Sequence, residues 1–329
     1  IVGSFDSAAA WVLLRLIALV TNLAYLGRVS TAAASIPSHL PLWSIAIPVA
    51  GSLVIGLMAR YGSAKIRGHG IPEAIEAILI GRSRIQLKVA LLKPLSSAIS
   101  IGTGGPFGAE GPIIMTGGAL GSLFAQLFHL TSAERKTLLV AGAAAGMTAV
   151  FGTPIAAALL AVELLLFEWK PRSFIPVTVA AIVAFAWRPL LVGSGPLFPY
   201  AGDPAMPWWG LGLCAVAGIV AGAQSALLTL LLYGVEDLFS KLPVHWMWWP
   251  AIGGVAVGVG GLVDPAVLGV GYDNIRLLLA GSLGLSAALL LLCDKAFVWI
   301  VALSSGTSGG VLAPLLTLGG ALGVLEAHW

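Results

Sequence analysis

The sequence predicts an all-α integral membrane protein built of two related halves, with several helices broken at membrane depth. Three observations predict it. Of 329 residues, 58% are hydrophobic and only 9% are charged. A soluble domain carries about 25% charged residues, so this chain lacks the polar residues to coat a water-facing surface. The 42 Gly and 19 Pro are too many for plain apolar spans and imply broken or closely packed helices. Finally, one glycine-rich motif recurs at a fixed separation. Secreted, nucleic-acid-binding and disordered classes are excluded by this composition. The net charge of +3 needs only basic loops that hold topology.

The elements follow in order. Apolar runs at 8–26, 40–59, 174–192, 208–233, 245–263 and 283–303 each approach the ~20 residues that cross the hydrocarbon. Shorter apolar segments lie at 73–80, 86–101, 113–130, 136–151, 155–167, 274–280 and 311–325. They start or stop at Gly/Pro clusters, the pattern of discontinuous helices that line transport sites. Arg60, Lys65, Arg67, Arg82, Arg84, Lys88 and Lys93 predict a cytoplasmic flank, and two preceding spans put the amino terminus on that side too. Trp208, Trp209, Trp246, Trp248 and Trp249 sit at span ends, as an aromatic belt does. Cys214 and Cys293 lie in apolar stretches and read as small buried hydrophobes. The first apolar segment has no basic leader or small-residue cleavage pattern. With Ile1 at its start and Trp329 soon after an apolar run, the chain reads as cut at both ends.

The repeat is Gly111-Pro112-Ile113-Ile114-Met115-Thr116-Gly117-Gly118-Ala119-Leu120-Gly121 against Ala313-Pro314-Leu315-Leu316-Thr317-Leu318-Gly319-Gly320-Ala321-Leu322-Gly323. Matching positions lie 202 residues apart. One reading is two related membrane halves, 1–192 and 193–329, the second incomplete at its carboxyl end. The other is generic small-residue packing.

Four short helices open on Pro72, Pro112, Pro154 and Pro314, and proline favours the first helical position. The free N–H groups of a first turn carry partial positive charge, and glycine lets an anion approach them. At membrane depth such starts suggest a small anion held by backbone amides; at an interface they merely break helices. Glu110, just ahead of one start, is an ionisable group at membrane depth and hence a functional candidate. Ionised, it would occupy the anion's place; protonated, it would swing away. The plainer reading is an N-terminal cap.

Gly68-His69-Gly70-Ile71-Pro72-Glu73, Gly108-Ala109-Glu110-Gly111-Pro112 and Gly310-Val311-Leu312-Ala313-Pro314 resemble, in order and spacing, the three selectivity-filter segments of the CLC chloride channel/transporter family. The resemblance covers essentially the whole chain. It implies an antiparallel two-repeat fold with broken and re-entrant helices, a homodimer with one pore per subunit, and a bacterial inner-membrane location. Chloride would be bound between helix N-termini, as substrate and not as cofactor. Carried over, Glu110 matches the gating glutamate, and Val311 and Leu312 match the pair whose backbone N–H groups hold chloride, with Gly70 and Ile71 in the first segment.

Three departures bear on this. His69 stands where Ser is frequent, and an imidazole donates differently from a hydroxyl; it either contacts the anion path or turns to the mouth beside Lys65 and Arg67. Ala109 replaces a frequent Arg. In Ala161-Val162-Glu163-Leu164, Leu164 stands at the internal proton-transfer glutamate of exchangers, while Glu163 is either structural or lines an inner water path. The family's pore tyrosine would lie beyond Trp329. Chloride transport with proton exchange through Glu110 is the first expectation. A passive chloride channel is the second, and a non-transporting membrane scaffold the third.

Other polar residues read as structural. Glu73 and Glu76 favour a helix start, Arg15 snorkels, and Asp294 pairs with Lys295. His39, His129, His245 and His328 share no metal-ligand spacing. No nucleophile–His–acid set is present, so neither an enzyme, a metal nor a cofactor is expected.

Overall fold

A computed structural model describes residues 1–200 and 207–327; His328 and the chain end at Trp329 lie outside the described residues. The regular elements are helices: α1 (Val2–Leu26), α2 (Ala46–Leu57), α3 (Ile71–Leu79), α4 (Leu87–Gly102), α5 (Glu110–Leu127), α6 (Ser132–Phe151), α7 (Pro154–Ala161), α8 (Pro171–Leu191), α9 (Gly210–Ser240), α10 (Trp249–Val263), α11 (Tyr272–Leu279), α12 (Leu285–Ser304) and α13 (Leu312–Glu326). Short 3-10 or π turns flank α2, α7 and α10.

Among the described residues, six helical stretches are long and apolar enough to cross a membrane: Val2–Leu26, Leu42–Gly62, Pro171–Leu191, Gly210–Ser240, Trp246–Val263 and Leu285–Ser304. They coincide with the six long apolar runs. The first helix starts earlier than its hydropathy, because Ser7 returns its hydroxyl to the Gly3 carbonyl at 2.8 Å and remains helical while polar. Helix α9 continues to Ser240 for a similar reason: its polar last turns dilute the hydropathy without breaking the helix.

The core is the pair α5 and α6. Helix α5 is buried along nearly its whole length, as expected of a helix apolar on all sides. A Cβ on Gly117 would overlap the Gly142 carbonyl, and one on Gly142 the Gly117 carbonyl. The helices thus approach backbone to backbone, which small residues alone permit. Gly117→Val is expected to lower the thermal midpoint in detergent, with overpacking costing about 1–3 kcal/mol. Gly212→Val on α9, with open space at its Cβ, is the control and should leave the midpoint nearly unchanged.

By contrast, α9 has only Gly210, Leu228 and Phe239 buried. Leu211, Leu213, Val216, Ile219, Leu227 and Leu230 are all exposed, an apolar surface suited to lipid rather than water. Cys214 and Cys293, expected to be buried, are exposed on α9 and α12, since apolar residues face outward where the solvent is hydrocarbon.

Two stretches run in parallel. A 3-10 turn, a left-handed glycine and a short helix occur as Ala64–Ile66, Gly70 (φ 94°) and α3, and again as Pro265–Val267, Gly271 (φ 77°) and α11. Each is followed by a longer helix carrying a fully buried lysine, Lys93 on α4 and Lys295 on α12, 202 residues apart. The Lys93 amino group donates to Ile66 O at 2.9 Å and Gly68 O at 2.8 Å. Lys295 donates to Val267 O at 2.7 Å and Gly269 O at 3.2 Å.

These contacts correct two sequence expectations. Lys93 is not a loop charge holding topology but an internal clamp. Lys295 bonds carbonyls rather than Asp294, whose Oδ2 has no hydrogen-bond partner; neighbours in a helix point in different directions. Arg15 also does more than snorkel, bonding Thr31 O at 3.1 Å.

Candidate anion and gate site

The three glycine segments, far apart in sequence, meet at one place. Gly108 and Gly310 exchange backbone hydrogen bonds of 2.9 and 2.8 Å, and Gly309 N–H donates to Gly68 O at 3.4 Å. A Cβ on Gly111 would strike the His69 carbonyl, which is why this position carries none. Ser308 is held beneath by the hydroxyls of Ser96 and Ser97, at 3.2 and 3.0 Å. Lys93 clamps Ile66 and Gly68 from the other side, and Arg67 stacks over Trp246 at 4.7 Å.

Here the starts of α3, α5 and α13 come together. None has a side-chain cap, their N-cap residues being Gly70, Ala109 and Val311. Helix α6, which begins at an exposed Thr131, carries a full Thr131–Glu134 capping box instead. Uncapped buried N–H groups need an acceptor, and three partial positive ends attract an anion.

Glu110 fills that place. It is 1% exposed, and its carboxylate lies where Cβ atoms on Gly108 and Gly310 would be. The N–H groups of Glu110 itself and Ala313 approach the carboxylate. Oε1 accepts from the Tyr272 hydroxyl at 2.9 Å, whereas Oε2 closes no hydrogen bond of full geometry. The sequence reading set Glu110 just before its helix. The structure makes it the first helical residue, with Pro112 two residues further on. Leu312 likewise opens α13 ahead of Pro314. Proline is equally harmless there, because the first-turn N–H groups have no intrahelical acceptor. Pro72 and Pro154 do sit at the first or second position, though Pro72 is exposed.

Gly108, Ala109, Gly111, Gly310 and Ala313 are thus gathered around Glu110, with Val311 and Leu312 at the start of α13; Gly70, just before Ile71 at the start of α3, abuts the Gly111 carbonyl, and Gly68 O accepts from Gly309 N–H. The His69 ring is half-buried, with Nδ1 unpartnered, while Lys65, its neighbour in the reading that turns it to the mouth, pairs with Glu76 at 3.6 Å. Glu163 is not brought to the cluster: it stands on an exposed face after α7, and Leu164 packs against the core. Sequence reasoning missed Tyr272, because an aromatic beside Gly271 carries no motif of its own. Among the described residues, no three His, Cys, Asp or Glu side chains are grouped to hold a metal.

The voltage-gated chloride channel family matches residues 51–329. The chain belongs to that family. A putative chloride channel protein, ClcB-like, of Ralstonia nicotianae is 31% identical over 305 residues, covering 91% of this chain and 70% of the relative. The H(+)/Cl(-) exchange transporter ClcA of Salmonella typhi is 30% identical over 292 residues, 86% of this chain and 62% of the relative. The chain therefore spans about two thirds of the length of such curated relatives.

Solved structures show the same fold. A slow cyanobacterial Cl-/H+ antiporter superposes with a TM-score of 0.85 at 21% identity, over 99% of this chain and 77% of that one. A CLC-type fluoride/proton antiporter gives 0.81 at 20% identity, over 99% and 80%. This member of the voltage-gated chloride channel family is accordingly an all-α, multi-pass integral membrane protein with the CLC architecture. The family segments after residue 51 include all three glycine motifs, so the cluster around Glu110 lies inside the matched region.

Proposed function

We propose that this protein carries chloride, or a similar monovalent anion, across a bacterial inner membrane, and that Glu110 is both its gate and its proton carrier. The convergence of the uncapped starts of α5 and α13 on one buried carboxylate, with the start of α3 packed beside them against Gly111, carries this reading. That arrangement is a seat for negative charge, held by backbone amides of α5 and α13 with apolar side chains on either side. When ionised, Glu110 occupies the seat. When protonated, it loses the attraction and the seat opens to an anion. The exchange transporter named among the relatives supports proton coupling by analogy of fold and motif.

The remaining assignments belong to the same proposal. Residues 1–192 and 193–329 form two related halves, supported by the 202-residue spacing of Lys93 and Lys295 and by the twin carbonyl clamps they make. The working unit is a homodimer with one pore per subunit. Gly68, His69, Gly70, Ile71 and Pro72, Gly108 to Pro112, and Gly310, Val311, Leu312, Ala313 and Pro314 line the anion path. Passive conduction is the second reading, favoured by Leu164, which places no carboxylate beside Glu163.

The deciding experiment reconstitutes the full chain in liposomes, imposes a chloride gradient, and records chloride efflux and proton uptake together. Uphill proton uptake driven by chloride supports exchange. Chloride flux without proton movement would make the protein a channel. No flux from folded protein, with chloride, fluoride and nitrate each tried, would leave only the scaffold.

A further inference from the structure

The second half supplies Glu110 with a partner that none of the three glycine segments contains. Tyr272 opens α11 directly after Gly271, whose left-handed φ of 77° turns the chain so that the ring reaches across to α5. Its hydroxyl donates to Glu110 Oε1 at 2.9 Å. The ring stands edge-on to Phe151 at 6.5 Å and to Phe198 at 5.7 Å, and those two rings lie 6.5 Å apart. Phe198 comes from the loop after α8. Two arginines hold the stretch just before Phe198: Arg188 donates to Gly193 O and Gly195 O at 2.9 and 2.7 Å, and Arg276 to Leu197 O at 3.1 Å. On its other side Tyr272 lines a cavity of about 620 Å³, shared with Arg15, Asn274 and Arg276.

We propose that Tyr272 is a positioning residue, the latch of the gate: its hydroxyl holds the Glu110 carboxylate in its seat, and opening towards the cavity requires that bond to break. This rests on the reading of Glu110 as gate. The aromatic cluster makes the hydroxyl an effective latch, because a ring wedged between Phe151 and Phe198 loses little further freedom on bonding. A hydrogen bond to an ionised carboxylate is about twice as strong as one to the neutral acid, so protonation loosens the latch and frees the seat in one step.

Among the described residues, the buried ionisable groups on the elements packed about the pair bond elsewhere, Lys93 on α4 to Ile66 O and Gly68 O, except Asp6 on α1, which has no hydrogen-bond partner; the half-buried His69 also leaves Nδ1 unpartnered. On α11, Asp273 and Arg276 bond each other at 2.9 Å. Lys295 on α12 holds Val267 and Gly269, Arg15 on α1 holds Thr31, and Arg188 on α8 holds the loop. His69, ahead of α3, contributes its carbonyl beside Gly111. Of these groups, only the Tyr272 hydroxyl bonds the carboxylate.

The test is Tyr272→Phe in the full chain in liposomes, alone and combined with Glu110→Gln, since Phe keeps the ring cluster and removes one hydroxyl. The latch predicts half-maximal anion flux at a pH higher by about one unit or more, because a charge-assisted hydrogen bond shifts such an equilibrium by roughly tenfold or more. Chloride affinity of the purified variant, measured by calorimetry at neutral pH, should rise by a similar factor as the tethered competitor weakens. In the Glu110→Gln background, Tyr272→Phe should change neither quantity. A Tyr272→Phe variant with an unmoved pH profile and unchanged affinity overturns the latch alone. Equal changes in both backgrounds also overturn it, since a purely structural role acts without Glu110. If Glu110→Gln by itself leaves the pH profile intact, the gate reading fails and the latch falls with it.

Discussion

Glu110→Gln is expected to abolish proton movement and leave anion flux that no longer responds to pH. With Glu110 present, closure requires the ionised carboxylate in its seat, so flux should rise as pH falls. A single-proton gate changes the open fraction by at most about tenfold per pH unit. The amide keeps the shape of the side chain and cannot ionise, so the variant should stay flat within about twofold between pH 5 and 8. The effect is large because the carboxylate itself fills the site: Gly108 and Gly310 press their backbones against it. Paired chloride and proton recordings from liposomes measure it. Persistent uphill proton uptake in Glu110→Gln would assign the proton route to another group.

Lys93→Met should be the most damaging substitution away from Glu110. The amino group is fully buried and joins the carbonyls of Ile66 and Gly68, so it determines which way that strand of backbone faces. Methionine fills much of the volume but leaves buried acceptors unpaired, each at about 1–3 kcal/mol. Relief from a desolvated charge offsets part of this. A net loss on the order of 3 kcal/mol is expected, seen as a lower thermal midpoint in detergent. Removing a positive charge next to the first glycine segment should also weaken chloride binding by about tenfold. Lys295→Met supplies the contrast. It unpairs Val267 O and Gly269 O and should lower stability similarly. Its effect on chloride affinity should be smaller, because the backbone it holds leads to Tyr272 rather than to a glycine segment of the seat. Equal affinity losses in both variants would mean that the charge acts at long range and the clamp does not.

Much of this was legible before any coordinates. Hydropathy located six spans because crossing hydrocarbon demands an apolar length that few other pressures produce. The glycine segments were legible through their resemblance to a known family; that close backbone approach excludes a side chain at Gly108, Gly111 and Gly310 is seen only in the structure. Glu110 stood out because an ionisable group at membrane depth is a functional candidate by default, with a helix cap as the plainer alternative. Helix starts were less legible: Pro112 and Pro314 pointed to first positions, yet the helices begin two residues earlier, since proline is tolerated anywhere in the first turn.

What the sequence by itself determined is composition-borne for membrane residence, an all-helical fold and the broken helices, and resemblance-borne for the three glycine segments. The first three follow from local rules, in which each residue reports on its own surroundings. Only the tertiary structure decided which long-range partners meet. Lys93 and Lys295 read as loop and helix charges until the fold put carbonyls around each ammonium. Tyr272 read as nothing until α11 carried its hydroxyl to a carboxylate 162 residues away. Glu163 read as either structural or a path residue, and only the fold placed it on an exposed face. The physical reason is common to all four: a side chain's partner across the fold is set by how helices pack, and packing leaves no periodicity or motif in the chain around the residue it engages.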